Sequence, residues 1–136
     1  MSIIDEIYYI EQSCFDDFWT REMLESEINN RFSITKTALC DGKTVGYALG
    51  RVVADEAELT KIATLSEFRR RGIAEKMLAE LLCEMREKGA AACYLEVRSR
   101  NLPAISLYKR LGFAEIGLRR NYYSDDDAVL MKKDLL

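Results

Sequence analysis

FRRRGIAEKMLAELL, residues Phe68 to Leu82, decides how the chain is read. Three consecutive arginines run into Gly72, and an apolar stripe at helical spacing follows: Ile73, Met77, Leu78, Leu81, Leu82 and, just beyond, Met85. The stripe predicts a helix over residues 72–88, closed by Gly89. The first N–H groups of a helix lack internal partners, and its dipole is positive at that end. Arginines there are slightly unfavourable unless an anion sits among them, and a glycine lets that anion approach the backbone. The segment reads as a pyrophosphate cradle, with a solvated arginine cluster as the alternative. It has neither the Walker spacing nor the dinucleotide-binding glycine pattern.

Working outward, the residues before the arginines change period. Ile3, Ile7, Ile10 and Cys14 repeat at helical spacing, and TREMLESEINN reads as a second short helix with Thr20 as its N-cap. FSITKTALC and TVGYALGRVV flank Asp41-Gly42, a hairpin signal, and AELTKIATL is a third strand. After the long helix come the strand AACYLEV and the helix NLPAISLYKRLGF, with Pro103 in its first turn and Gly112 past its end. FAEIGLRRNYY and AVLMKKDL read as a closing antiparallel pair. The order is ααβββαβαββ. The strand–helix–strand run from 57 to 97 is a crossover, so its two strands should be parallel neighbours. The expected class is α/β (α+β), a mixed sheet flanked by helices, in one domain over residues 1–136.

Composition narrows the chemistry. The chain has 136 residues, a net charge of −3 and no histidine. Ser-His-Asp and Cys-His catalysis are thereby excluded, and an ordinary zinc site is disfavoured. Acid–base work falls to carboxylates, tyrosine, lysine or water. Cys14, Cys40, Cys83 and Cys93 form no C-x-x-C pair, and no metal is expected. No signal peptide or membrane-length apolar run is evident, which points to the cytoplasm, away from membranes. The acidic balance argues against nucleic acid as a partner, despite the arginines.

Two later stretches join the first. RRRGIA, LEVRSRN, AISLYKRLGF and RRNYY lie at spacings that resemble the GNAT superfamily of N-acetyltransferases, and within it the ribosomal-protein-alanine N-acetyltransferase (RimI) family. Arg69, Gly72 and Ala74 fill the family's Q/R-x-x-G-x-G/A signature. The resemblance runs from about Ile10 to Met131. It implies acetyl-CoA as cosubstrate, no metal, and a protein N-terminus as acceptor: the N-terminal alanine of the eighteenth small-subunit ribosomal protein. It implies that Ile62, Ala63 and Thr64 offer strand backbone to the pantetheine arm and the acetyl carbonyl. Arg69, Arg70, Arg71, Gly72, Ile73, Ala74 and Glu75 would surround the pyrophosphate, and Asn101 would bind the coenzyme from the far side. Glu96 corresponds to the general base and Tyr108 to the general acid.

The residues alone leave both roles open. Glu96 sits late in a strand, where α/β ligand crevices form, and partial burial would suit a base; it could equally be an exposed strand residue. Tyr108 lies seven residues past Asn101, two helical turns on; it could also be core. Phe15, Trp19, Tyr122 and Tyr123 are candidates for lining an acceptor groove, with the neighbouring aspartates attracting a basic peptide. The chain departs from the family pattern at its start, where the first strand is shortened or missing, at Phe18-Trp19, at Lys61–Thr64 and in a short loop after Tyr123. A bare sheet edge there would allow a weak homodimer as well as a monomer. Acetylation of a small-molecule amine, or coenzyme binding without catalysis, are the alternative functions.

Overall fold

The computed structural model describes residues 2–136. The Ser2 hydroxyl accepts from the Asp5 N–H, and the Asp5 carboxylate accepts from the Ser2 N–H, a capping box that starts α1 (Ile3–Cys14). Thr20 caps α2 (Arg21–Ile28) by accepting from the Met23 N–H. α1 is the first element of the described residues, so no strand precedes it among them. β1 (Ser33–Cys40) and β2 (Lys43–Val53) turn at Asp41 and Gly42, whose φ values of 51° and 79° fit the hairpin turn that such a pair favours.

β3 (Glu56–Thr64) pairs antiparallel with β2. A single 3-10 turn, Ser66–Phe68, leads into α3 (Ile73–Glu87), which crosses over to β4 (Ala92–Arg98). α4 (Leu102–Arg110) follows, then β5 (Ala114–Tyr123) and β6 (Asp126–Asp134). The sheet order is β1-β2-β3-β4-β6-β5, and the β3–β4 pair is parallel, as the crossover requires. The expected element order and mixed sheet are both present.

The two faces of the sheet carry separate cores. Met77, Leu78, Leu81, Leu82 and Met85 of α3 pack with Ile105, Leu107 and Tyr108 of α4 against Leu95, Val97, Val129 and Met131. On the other face Ile7 and Ile10 of α1 and Leu24 of α2 cover Val45, Tyr47 and Leu49. β2 runs between both layers, and its glycines set how close α3 comes. A Cβ at Gly50 would lie 2.5 Å from Met85 Cε and 2.8 Å from the Glu58 carbonyl oxygen; at Gly46 it would lie 2.9 Å from Met77 Cε. β5 has the opposite character. All but its last residue is exposed, and bulges between Glu115 and Gly117 and between Arg119 and Tyr123 break its pairing with β6, which blunts it as an open edge.

Gly50→Ala should destabilise the chain by about 1–3 kcal/mol, because the Glu58 carbonyl is backbone and cannot step aside; urea unfolding measures it. Burial also makes the fold sensitive to alkali. It pushes the Cys93 thiol up from 9.0 to about 12 and the Tyr108 hydroxyl up from 10.0 to about 12. Both groups keep their protons in the folded state at a pH where the unfolded chain loses them. Stability from Cys93 is therefore whole below pH 9.0 and declines as pH rises toward about 12. Unfolding curves across that window should show this slope, and Cys93→Ala should flatten it.

Candidate active site

The site begins where two strands part. β3 and β4 pair at Glu56–Ala92, Ala57–Cys93 and Glu58–Tyr94, and no further. β3 nevertheless continues to Thr64 and β4 to Arg98. The cause lies one strand away. Leu49 pairs with Lys61 but Gly50 pairs with Leu59, so Thr60 is an extra residue and β3 bends at it. β4 stays straight along β6 through Arg98. The result is a V-shaped gap in mid-sheet, walled by backbone from Leu59 to Thr64 with no strand partner in β4. On the same stretch of β3 the hydroxyls of Thr60 and Thr64 are buried without a hydrogen-bond partner, the latter beside Gly46 on the α3 side of the sheet. A wedge walled by strand backbone with no partner in β4 fits a narrow, amide-bearing arm such as pantetheine.

Past the mouth of the gap the chain turns into α3. Arg70 and Gly72 both lie in the left-handed region, at φ 63° and 77°, one residue apart. Left-handed residues in such a turn swing successive N–H groups toward one concavity. α3 has no side-chain cap, so the N–H groups of Ile73, Ala74 and Glu75 open onto the same space, and nothing lies within 4 Å of where a Gly72 Cβ would stand. Backbone donors and dipole therefore form an anion cradle.

The three arginines divide the work. Arg69 Nε donates to the Thr64 carbonyl at 2.9 Å, tying the cradle back to the end of β3. The Arg71 guanidinium lies 5.1 Å over the Phe68 ring. Arg70 is exposed and makes no ion pair among the described residues. Glu75 is held by Arg110 Nε at 3.0 Å, joining α3 to α4. Asn101 is the N-cap of α4, its Oδ1 accepting from the Ala104 N–H at 3.2 Å.

Glu96 and Tyr108 stand on opposite faces of β4. Tyr108 is buried under α4 against Phe113, ring centroids 5.9 Å apart, and its hydroxyl has no hydrogen-bond partner among the described residues. Burial, then the charge of Tyr123, holds that hydroxyl at about 12. Glu96 faces the side of α1 and α2 and is exposed, so the partial burial that would suit a base is not provided. Its carboxylate lies 3.6 Å from Arg119 Nη1. Hydrogen bonding to Glu96, and then its charge, pushes the Tyr122 hydroxyl above its ordinary value. Burial, then Glu96, does the same to Tyr123. Tyr122 and Tyr123 therefore do gather at Glu96, their rings 5.1 Å apart.

Phe15 and Trp19 come from across the gap, on the loop between α1 and α2. Both rings pack on the Lys61 ammonium, at 4.4 and 4.7 Å from their centroids. Arg98 spans the two sides. It lies 4.2 Å over the Tyr123 ring, pairs with Asp125, and reaches Asp17 of the α1–α2 loop at 3.7 Å. Lys61, Glu11, Arg98 and Arg119 were given no role at the site from the sequence, although Lys61 stood out as a departure from the family pattern and Arg98 and Arg119 lie in the quoted motifs. One signal was available: Glu11 sits between Ile7 and Cys14 on the apolar stripe of α1, a carboxylate where the pattern calls for a hydrophobe. No group of three or more histidine, cysteine or acidic side chains among the described residues could hold a metal ion, and no helix there is long and apolar enough to cross a membrane.

Comparison with known proteins agrees with this geometry. The model of the acetyltransferase (GNAT) family matches residues 4–113. The ribosomal protein bS18-alanine N-acetyltransferase of Escherichia coli strain K12 is 37% identical over 131 residues, 91% of this chain and 86% of that protein. Its counterpart in Haemophilus influenzae is 34% identical over 131 residues, 90% of this chain and 88% of that protein. The crystal structure of the Escherichia coli enzyme superposes with a TM-score of 0.90 at 33% identity, covering 99% of this chain and 90% of that one. The NatC complex bound to Gag peptide and CoA has the same fold, with a TM-score of 0.85 at 18% identity over 98% of this chain and 91% of that one.

Proposed function

Because the chain belongs to the GNAT family of N-acetyltransferases, we propose that it transfers acetyl from acetyl-CoA to the α-amine of a protein N-terminus, the N-terminal alanine of the eighteenth small-subunit ribosomal protein. The observation that carries this reading is the V-shaped gap with Glu96 on one face and Tyr108 on the other. The two sides of the gap can then serve different substrates, and the reacting atoms meet within it. The similarity to the two bacterial enzymes of that name supplies the acceptor.

In this reading the whole chain is one catalytic domain. Acetyl-CoA brings an activated thioester and the protein supplies position and proton transfer. The backbone groups of Ile62, Ala63 and Thr64 that β4 leaves without a partner receive the pantetheine amides, and a free N–H among them donates to the thioester carbonyl oxygen as charge develops there. The cradle from Arg69 to Glu75 takes the pyrophosphate, chiefly through backbone N–H groups, with Arg70 the freest of the side-chain cations. Asn101 closes the far side with the part of its amide that capping leaves spare. An α-amine has a pKa of about 7.7–8.0 and attacks only when neutral. Glu96, exposed in the groove, accepts its proton directly or through water. The amine nitrogen bonds to the acetyl carbon, the carbon–sulfur bond breaks, and Tyr108 gives its proton to the departing sulfur. A Tyr108 hydroxyl at about 12 is fully protonated at working pH, as an acid must be. Tyr122, Tyr123, Phe15 and Trp19 border the groove from its two sides.

Acetyl transfer to a synthetic peptide matching that ribosomal N-terminus, beside an N-terminally blocked copy, tests the acceptor. Transfer is expected to the free peptide alone; transfer only to small amines would replace this reading with the small-molecule one. Glu96→Gln should lower kcat/KM by about 10²-fold or more if Glu96 is the base. Full activity of a folded Glu96→Gln protein across the pH range would remove that role.

A further inference from the structure

We propose that Lys61 is a positioning residue for acetyl transfer, anchoring the loop from Phe15 to Trp19 on the acceptor side of the gap through its buried ion pair with Glu11. The proposal rests on the acceptor reading above. The Glu11 side chain is fully buried, and burying a carboxylate costs several kcal/mol unless it is paired. Three donors meet it. Lys61 Nζ lies 2.5 Å from Oε2, the Tyr47 hydroxyl donates to Oε1, and the Trp19 backbone N–H donates to Oε2 at 2.8 Å.

The third donor belongs to the loop itself. The same ammonium then lies against the faces of Phe15 and Trp19. One charge on β3 therefore holds the loop twice, through Glu11 to its backbone and directly to its rings. Lys61 is also the residue before Ile62, where the proposed coenzyme wall begins. A single point thus fixes the loop relative to that wall. Stability alone does not account for the arrangement, because apolar replacement of a buried ion pair is often neutral or stabilising. An apolar pair could not hold the Trp19 N–H or attract two ring faces.

The experiment uses the full chain with Lys61→Met, which keeps the stem and removes the charge. That change strands a buried carboxylate, so the double variant Lys61→Met with Glu11→Gln is prepared beside it as a neutral site. Trp19 is the chain's one tryptophan, and its fluorescence reports on the loop without any substrate. Both variants should show a red-shifted emission and stronger acrylamide quenching. The peptide KM should rise about 10-fold, while kcat and the acetyl-CoA KM stay within about 2-fold, as loss of acceptor positioning requires. Lys61→Arg should recover most of both effects. Unchanged Trp19 quenching and unchanged peptide KM in the folded variants would overturn the proposal. An equal rise in the acetyl-CoA KM would also overturn it. If the wild-type chain leaves the peptide unmodified, the acceptor reading fails on that ground, and the quenching comparison still decides whether Lys61 holds the loop.

Discussion

The parting of β3 from β4 after Glu58 and Tyr94 is the constraint on which the rest of this molecule depends. A continuous sheet would have satisfied every backbone group there and left no place for a ligand. One extra residue, Thr60, opposite the Leu49–Gly50 step is enough to turn β3 aside. The cost is a wall of unpaired backbone and two orphaned hydroxyls, the kind of local deficit that functional sites carry and ligands repair.

Around that gap the charged side chains mostly act on one another. Arg69 holds the Thr64 carbonyl, Arg110 holds Glu75, Arg98 joins Asp17 to Asp125, and Lys61 holds Glu11. Apart from the buried Lys61–Glu11 pair, these exposed contacts contribute little to stability, at most about 1 kcal/mol each. Apart from the local Arg69 contact, their shared property is reach: they tie segments far apart in sequence at the rim of the cleft. The anion cradle is left to backbone N–H groups and a helix dipole, which keep their geometry when side chains move.

The elements were legible because each obeys a local rule: the α3 stripe has one period, Asp41-Gly42 makes a turn that only left-handed residues allow, and Thr20 and Pro103 start helices. The crossover from 57 to 97 gave the one parallel pair. The glycine turn into α3 was legible too, since Gly72 stands directly before the apolar stripe. The gap itself was not. It arises from a register shift between two strands, and register depends on which residues across the sheet meet, which no single strand records. The meeting of Glu96 with Arg119 was hidden for the same reason, as it depends on a partner distant in the chain. Lys61 reads in sequence as one more polar strand residue, and only α1 laid across β3 gives it a carboxylate.

The three-pair contact between β3 and β4 has a mechanical consequence. The sheet amounts to two three-stranded halves, β1-β2-β3 and β4-β6-β5, stitched by a short seam at one end and free at the other. The seam is the shortest ladder in the sheet, so bending strain concentrates there, as in a pair of tongs whose pivot lies at Glu58 and Tyr94. α3 begins beside the free end of one arm, and α4 follows the tip of the other. A change in the angle between the arms therefore widens the gap and moves the cradle away from α4 in one motion. The short seam that leaves the gap open is in this way also the place where the two arms can turn, with the arms themselves remaining folded.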